Sequence, residues 1–116
     1  MSDTFSVSSE RAGDDLGIVT VGGEVDIFTA PQFKECMVAL LDGGVRRLVI
    51  DLSEVTFIDS TALGVLIGGV RRVNGVSGSM ALVVVSRPVQ RVLSVTGLDR
   101  VFSTYATRDE AVEALA

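Results

Sequence analysis

The 116-residue sequence has no histidine, no tryptophan and one cysteine, Cys36. Each absence removes a class of chemistry. Without histidine, a serine hydrolase lacks its usual general base, and a single cysteine cannot supply an ordinary zinc site. It cannot close an intramolecular disulfide either. Lysine is nearly missing, with Lys34 alone, and the arginines are scattered through a chain of net charge −5. Nucleic-acid binding needs clustered positive charge to neutralise phosphates, so none is expected. Long apolar runs are also absent. The longest, Ala62 to Val70, is broken by three glycines and falls far short of the roughly 18 residues of a membrane span. Met1-Ser2-Asp3 does not open the basic-then-apolar pattern of a secretory leader. A cytoplasmic protein without a membrane role is therefore expected. No Walker A motif and no Gly-x-Gly-x-x-Gly after a strand is present, and Gly22-Gly23 reads as a turn or bulge. No cofactor is implied.

What is present suits a packed domain, with 47% hydrophobic and 22% charged residues, and one domain is expected over residues 1–116. Thr4 to Ser8 and Gly17 to Val21 read as strands around a polar turn, Glu10 to Asp15. Thr29-Ala30-Pro31-Gln32 reads as a helix start with threonine as cap, proline in the first turn and glutamine at the capping-box position. Phe33, Cys36, Met37, Leu40 and Leu41 then mark one buried face, and Gly43-Gly44 ends the helix. Cys36 is thus expected to be a small buried hydrophobe. Leu48 to Ile50 and Met80 to Val85 are continuous apolar strands, the pattern of a sheet covered on both faces. Pro88 starts a helix with Val89, Val92 and Leu93 inward and Gly97 as its stop. Val101 to Tyr105 is a last strand, and Thr107-Arg108-Asp109-Glu110 a capping box opening a terminal helix. The order is β-β-α-β-α-β-α-β-α, an α/β fold with a mixed, mostly parallel sheet whose first strand is an antiparallel edge.

The segment Phe57-Ile58-Asp59-Ser60-Thr61-Ala62-Leu63-Gly64 stands out. It follows an apolar strand and opens an amphipathic helix running to Asn74. Helix starts present unpaired N–H groups and the positive end of the dipole, so phosphate added to a hydroxyl there would be held by those groups. Plain capping is the commoner role for Asp, Ser or Thr at such a place. The rest of the helix argues for more. Leu63, Leu66, Ile67, Val70 and Val73 form its buried face by spacing, while Thr61, Gly64, Val65, Gly68 and Arg72 lie opposite. Each interior glycine costs about 0.8–1 kcal/mol relative to alanine, and such weakening usually accompanies close approach of another surface. Close internal packing accounts for one or two of Gly64, Gly68 and Gly69. A flat strip of Gly64, Val65 and Gly68 beside Ser60 reads as a docking surface for another protein.

Asp59 to Gly64 resembles the phosphoacceptor motif of bacterial anti-sigma factor antagonists, small proteins of the STAS fold, and the element order matches that fold along essentially the whole chain. Gly23-Glu24-Val25-Asp26 supports the resemblance. What it implies is a regulator rather than an enzyme. In that family the unphosphorylated antagonist binds an anti-sigma factor and so frees a sigma factor for transcription, which it affects only indirectly. The anti-sigma factor is usually a serine/threonine kinase using ATP and Mg²⁺, and its phosphorylation of the antagonist ends the interaction; a serine phosphatase restores it. The modified serine corresponds to Ser60, with Asp59, Thr61, Ala62, Leu63 and Gly64 as the supporting motif. Ala62 replaces a common glycine and is expected to put a methyl group beside Ser60. Asp26 corresponds to an acidic residue implicated in kinase recognition, although a turn or cap is the commoner role for aspartate between strand and helix.

Two other readings compete. A phosphoaspartate receiver shares the alternation and would keep its acceptor at a strand end, as at Asp51. Its acidic pair and late lysine are missing, because Asp14-Asp15 lies in a turn and Lys34 on the first helix. Asp51 and Glu54 instead read as strand-end and loop solubilising groups. A STAS scaffold or transport-complex subunit without a phosphoswitch fits the fold equally, and only Ser60 and its flat helix distinguish it.

Overall fold

A computed structural model describes residues 5–116, and its elements run β1 (Ser6–Arg11), β2 (Leu16–Val25), α1 (Ala30–Asp42), β3 (Arg47–Ile58), α2 (Ser60–Gly75), β4 (Ser79–Val83), α3 (Arg87–Val95), a 3-10 turn (Leu98–Arg100), β5 (Ser103–Tyr105) and α4 (Arg108–Leu115). This is the predicted order. The first predicted strand begins at Thr4, which lies outside the described residues. It continues to Arg11, so the polar turn is shorter than expected.

The sheet runs β1-β2-β3-β4-β5, with β1 antiparallel to β2 and every later pair parallel. Parallel neighbours in sequence need crossovers, and α1, α2 and α3 supply them. Right-handed crossovers between successive strands put these helices on one face. There Val19, Val21, Leu48, Ile50, Leu52 and Leu82 pack against Phe33, Met37, Leu66, Val73, Val89 and Leu93. α4 covers the other face, seating Ala111 against Leu16, Ile18, Val49, Ala81 and Val83. Cys36 is half-buried against the larger core rather than enclosed by it.

β3 is far longer than Leu48 to Ile50, and this changes two assignments. Asp51 is mid-strand and 6% exposed, and Glu54 projects from the same strand rather than from a loop. Asp51 Oδ2 accepts from Arg108 Nε at 3.0 Å and Nη2 at 2.9 Å, while its Oδ1 accepts the Ser53 N–H at 2.9 Å. Arg108 Nη2 also donates to Thr20 Oγ1 at 2.8 Å. Buried carboxylates persist only when paired in this way. Burial pushes the Asp51 carboxyl up, but the Ser53 hydrogen bonds and the Arg108 guanidinium outweigh it and hold it below the ordinary carboxylate value. Asp51 is a structural tie between sheet and α4, not a solubilising group.

Helix starts divide into two kinds: Asp59 and Thr107 cap α2 and α4 through their side chains, whereas Thr29 and Ser86, at the N-caps of α1 and α3, do not. Thr107 Oγ1 accepts the Glu110 N–H at 3.1 Å, and Glu110 Oε1 reaches back to the Ala106 N–H at 3.2 Å, a capping box displaced by one donor. Thr29 occupies the N-cap of α1 but its side chain caps nothing in the helix. Its hydroxyl serves the preceding turn instead.

Candidate functional site

The C-terminal ends of β2 and β3 meet where the Asp59 N–H donates to Val25 O at 3.2 Å. That bond sets the turn before α1 beside the start of α2. Asp59 is the N-cap of α2, in extended conformation, and its Oδ1 accepts the N–H groups of Thr61 at 2.9 Å and Ala62 at 3.1 Å. Ser60 is therefore the first helical residue and not the cap. It is exposed, and its hydroxyl has no hydrogen-bond partner among the described residues. The simplest structural role for Ser60 is already filled by its neighbour.

The same geometry corrects one expectation. Two of the helix N–H groups that were to hold a phosphate are taken by the Asp59 carboxylate. A phosphate on Ser60 would therefore share the helix terminus with a negative charge. Ala62 is a second correction. Its methyl group is 1% exposed and belongs to the core, so it points away from the outer face and leaves the surface around Ser60 unaltered. Leu63 is also a core residue.

The outer face of α2 divides as the helical period predicts. Thr61, Gly64, Gly68 and Arg72 are exposed and Val65 is half-buried, while Leu63, Leu66 and Val73 are buried with Ile67 and Val70 packed at the margin. The three glycines have different reasons to be there. A Cβ built on Gly64 or Gly68 would meet nothing within 4 Å, whereas one on Gly69 would lie 2.6 Å from Met37 Sδ. Gly69 lets α1 and α2 approach each other. Gly64 and Gly68 serve no packing inside the molecule. They line a groove of about 660 Å³ between α1 and α2, together with Ala30, Pro31, Lys34, Met37, Val38, Thr61, Val65 and Arg72. At its far end Arg72 Nη2 pairs with Asp42 Oδ1 at 2.7 Å.

Asp26 performs a defined local task. Its Oδ1 accepts from the N–H groups of Phe28 at 2.9 Å and Thr29 at 3.1 Å, and its carbonyl accepts from Ala30 at 2.8 Å. Thr29 Oγ1 accepts the Asp26 N–H at 2.9 Å and lies 3.1 Å from Glu24 O, to which it donates. This is an aspartate-built turn, the commoner of the two roles weighed from sequence. The turn presents Ile27 and Phe28 to solvent, which the sequence reading missed. Two large apolar residues that fit neither the strand period before them nor the helix period after them were the available signal.

The STAS domain family matches residues 8–111. A Staphylococcus epidermidis protein, "Anti-sigma-B factor antagonist", is 33% identical over 85 residues, covering 73% of this chain and 79% of that one. The crystal structure of an anti-sigma factor antagonist from Mycobacterium paratuberculosis superposes with a TM-score of 0.83 at 32% identity, over 98% of this chain and 94% of that one. SpoIIAA of Bacillus, solved in its phosphorylated form, gives a TM-score of 0.75 over 96% of this chain and 100% of its own, and at 22% identity shows the shared fold alone. With the family match spanning most of the sequence, a relative at 33% identity over 73% of this chain and a solved antagonist of the same fold at 32%, this chain belongs to the STAS-domain family of anti-sigma factor antagonists.

Proposed function

We propose that this protein acts as a single STAS domain whose unphosphorylated form binds an anti-sigma factor, and that phosphorylation of Ser60 ends the binding. The observation that carries this reading is the division of labour at the start of α2. Asp59 caps the helix, which leaves the Ser60 hydroxyl exposed and unused next to Thr61, which lines a groove with the bare Gly64 and Gly68. The anti-sigma factor is a serine/threonine kinase in this reading, and a serine phosphatase reverses its action. The sigma factor is affected only through the anti-sigma factor, and the protein is a binding module and kinase substrate rather than a catalyst.

The switch follows from charge and hydration. Phosphate brings about −1.5 to −2 charges and three strongly hydrated oxygens, beside the Asp59 carboxylate in a chain of net charge −5. In the free protein these oxygens remain in water at little cost. In an interface they must be desolvated or accommodated. A penalty of about 2.7 kcal/mol lowers affinity a hundredfold, enough for release.

The test is peptide mapping of protein purified from its native cell, combined with ATP-dependent transfer from candidate anti-sigma factor kinases to wild type, Ser60→Ala and Thr61→Ala. A phosphate on Ser60 that Ser60→Ala cannot accept supports the switch. No phosphate in any growth condition and no transfer would identify a STAS scaffold instead.

A further inference from the structure

Phe28 is 83% exposed and Ile27 62%. Surfaces usually avoid presenting a phenylalanine so fully, and aromatic residues are enriched in interfaces. The turn that carries it is hydrogen-bonded rather than loose. Asp26 Oδ1 holds the N–H groups of Phe28 and Thr29 at 2.9 and 3.1 Å, and the Thr29 hydroxyl closes the turn from the other side. A side chain whose backbone is already fixed loses less freedom on binding.

The turn is also continuous with the Ser60 face. The bond from Asp59 N–H to Val25 O ties the two loops together. Immediately after Phe28 and Thr29, Ala30 and Pro31 form one wall of the groove whose other wall is Thr61, Gly64 and Gly68. The turn thus stands two residues before the wall of the groove that faces bare α2.

We infer that Phe28 is the apolar anchor of the anti-sigma factor interface, seated in an apolar pocket of that partner, and that Asp26 is the positioning residue that aims it. This rests on the reading of Ser60 and the groove as the partner-binding face. It assigns Asp26 a role through its acceptor oxygen rather than through charge presented to the kinase. It also explains why a phosphate at Ser60 releases the partner. Anchors work inside a ring of contacts that exclude water, and a hydrated phosphate on the adjoining first turn of α2 opens that ring.

The experiment uses purified full-length protein and the purified anti-sigma factor kinase that phosphorylates Ser60. Dissociation constants are measured for wild type, Phe28→Ala, Asp26→Ala, Asp26→Asn and Phe57→Ala, with thermal melting of each variant. Phe57 is a control. It is 47% exposed and pairs with Glu24, while the next pair, Val25 and Ile58, is buried in the core with no register shift between the two, so Phe57 points to the opposite face of the sheet. The expected result is a loss of roughly thirty-fold or more for Phe28→Ala with unchanged melting, the size of an interface hot spot. Asp26→Ala should weaken binding by roughly tenfold. Asp26→Asn should stay within about threefold of wild type, because its amide oxygen accepts the same two N–H groups. Phe57→Ala should bind normally.

Wild-type affinity in Phe28→Ala, or Asp26→Asn as weak as Asp26→Ala, overturns the inference while leaving the Ser60 reading intact. A kinase that transfers phosphate to Ser60 but shows no stable binding to wild type overturns both. Sedimentation of the free protein covers the remaining occupant. A dimer abolished by Phe28→Ala would assign the anchor to a second copy of this chain and overturn the proposal.

Discussion

At the scale of single residues, Asp59 and Ser60 are adjacent and chemically interchangeable as caps, yet only one is used. Asp59→Ala should cost about 1 kcal/mol, the usual value of an N-cap side chain, read as a lower urea midpoint. Ser60→Ala should change stability by no more than about 0.5 kcal/mol, as expected of an exposed side chain without partners. Under the proposed switch their order of importance reverses. Ser60→Ala should keep the anti-sigma factor bound and escape phosphorylation, and Ser60→Asp should bind more weakly. Equal stability losses in Asp59→Ala and Ser60→Ala would show that the cap is shared. The sequence made this site legible but not its division of labour, because Asp, Ser and Thr all favour the same position and only the geometry separates them. Asp26 was legible as a turn former for the same chemical reason. Phe28 was not, since its one signal is a misfit with the strand period before it and the helix period after it, and a misfit does not say which way the side chain faces.

At the scale of the element, α2 carries glycines with opposite meanings. Gly68→Ala should raise stability by about 0.8–1 kcal/mol, since the added methyl gains helix propensity and meets nothing within 4 Å. It should also weaken partner binding by thickening the floor of the groove. Gly69→Ala must displace the buried Met37 and should fall below wild type, because overpacking costs typically 1–3 kcal/mol. Urea denaturation of both variants checks the order Gly68→Ala, wild type, Gly69→Ala. Sequence alone marked all three glycines as unusual and predicted that packing explained some of them; which ones depends on the distance between two helices. The length of β3 was hidden for a related reason. Register shifts against β2 break the two-residue alternation after Asp51, so Leu52, Val55 and Ile58 are buried at a spacing that does not look like a strand.

At the scale of the whole molecule, the fold was legible because its helices and strands alternate with distinct periods and recognisable stops. Its long-range ties were not. Asp51 and Arg108 lie 57 positions apart, and nothing local in either announces the other. Their pairing predicts how the protein responds to acid. The Asp51 carboxyl is held below its ordinary value in the folded state, so the unfolded chain binds its proton more readily. Its contribution is complete above the ordinary carboxylate range, near pH 4, and is lost as the pH falls through the lowered folded value. The exposed Asp15, lowered by the hydrogen bond from Arg47, titrates with the same sign. Asp51→Asn should be less stable at neutral pH and lose part of the acid-side slope. Urea midpoints measured from about pH 7 down to about pH 3 would show a parallel slope instead if the pair contributed nothing.

The central claim concerns Ser60, and one comparison reaches it directly: the affinity of the anti-sigma factor kinase for the unmodified protein and for the protein carrying a single phosphate on Ser60, measured side by side in the same buffer. The account predicts tight binding by the unmodified form and a loss of about a hundredfold or more on phosphorylation. Equal affinity for the two forms would contradict it.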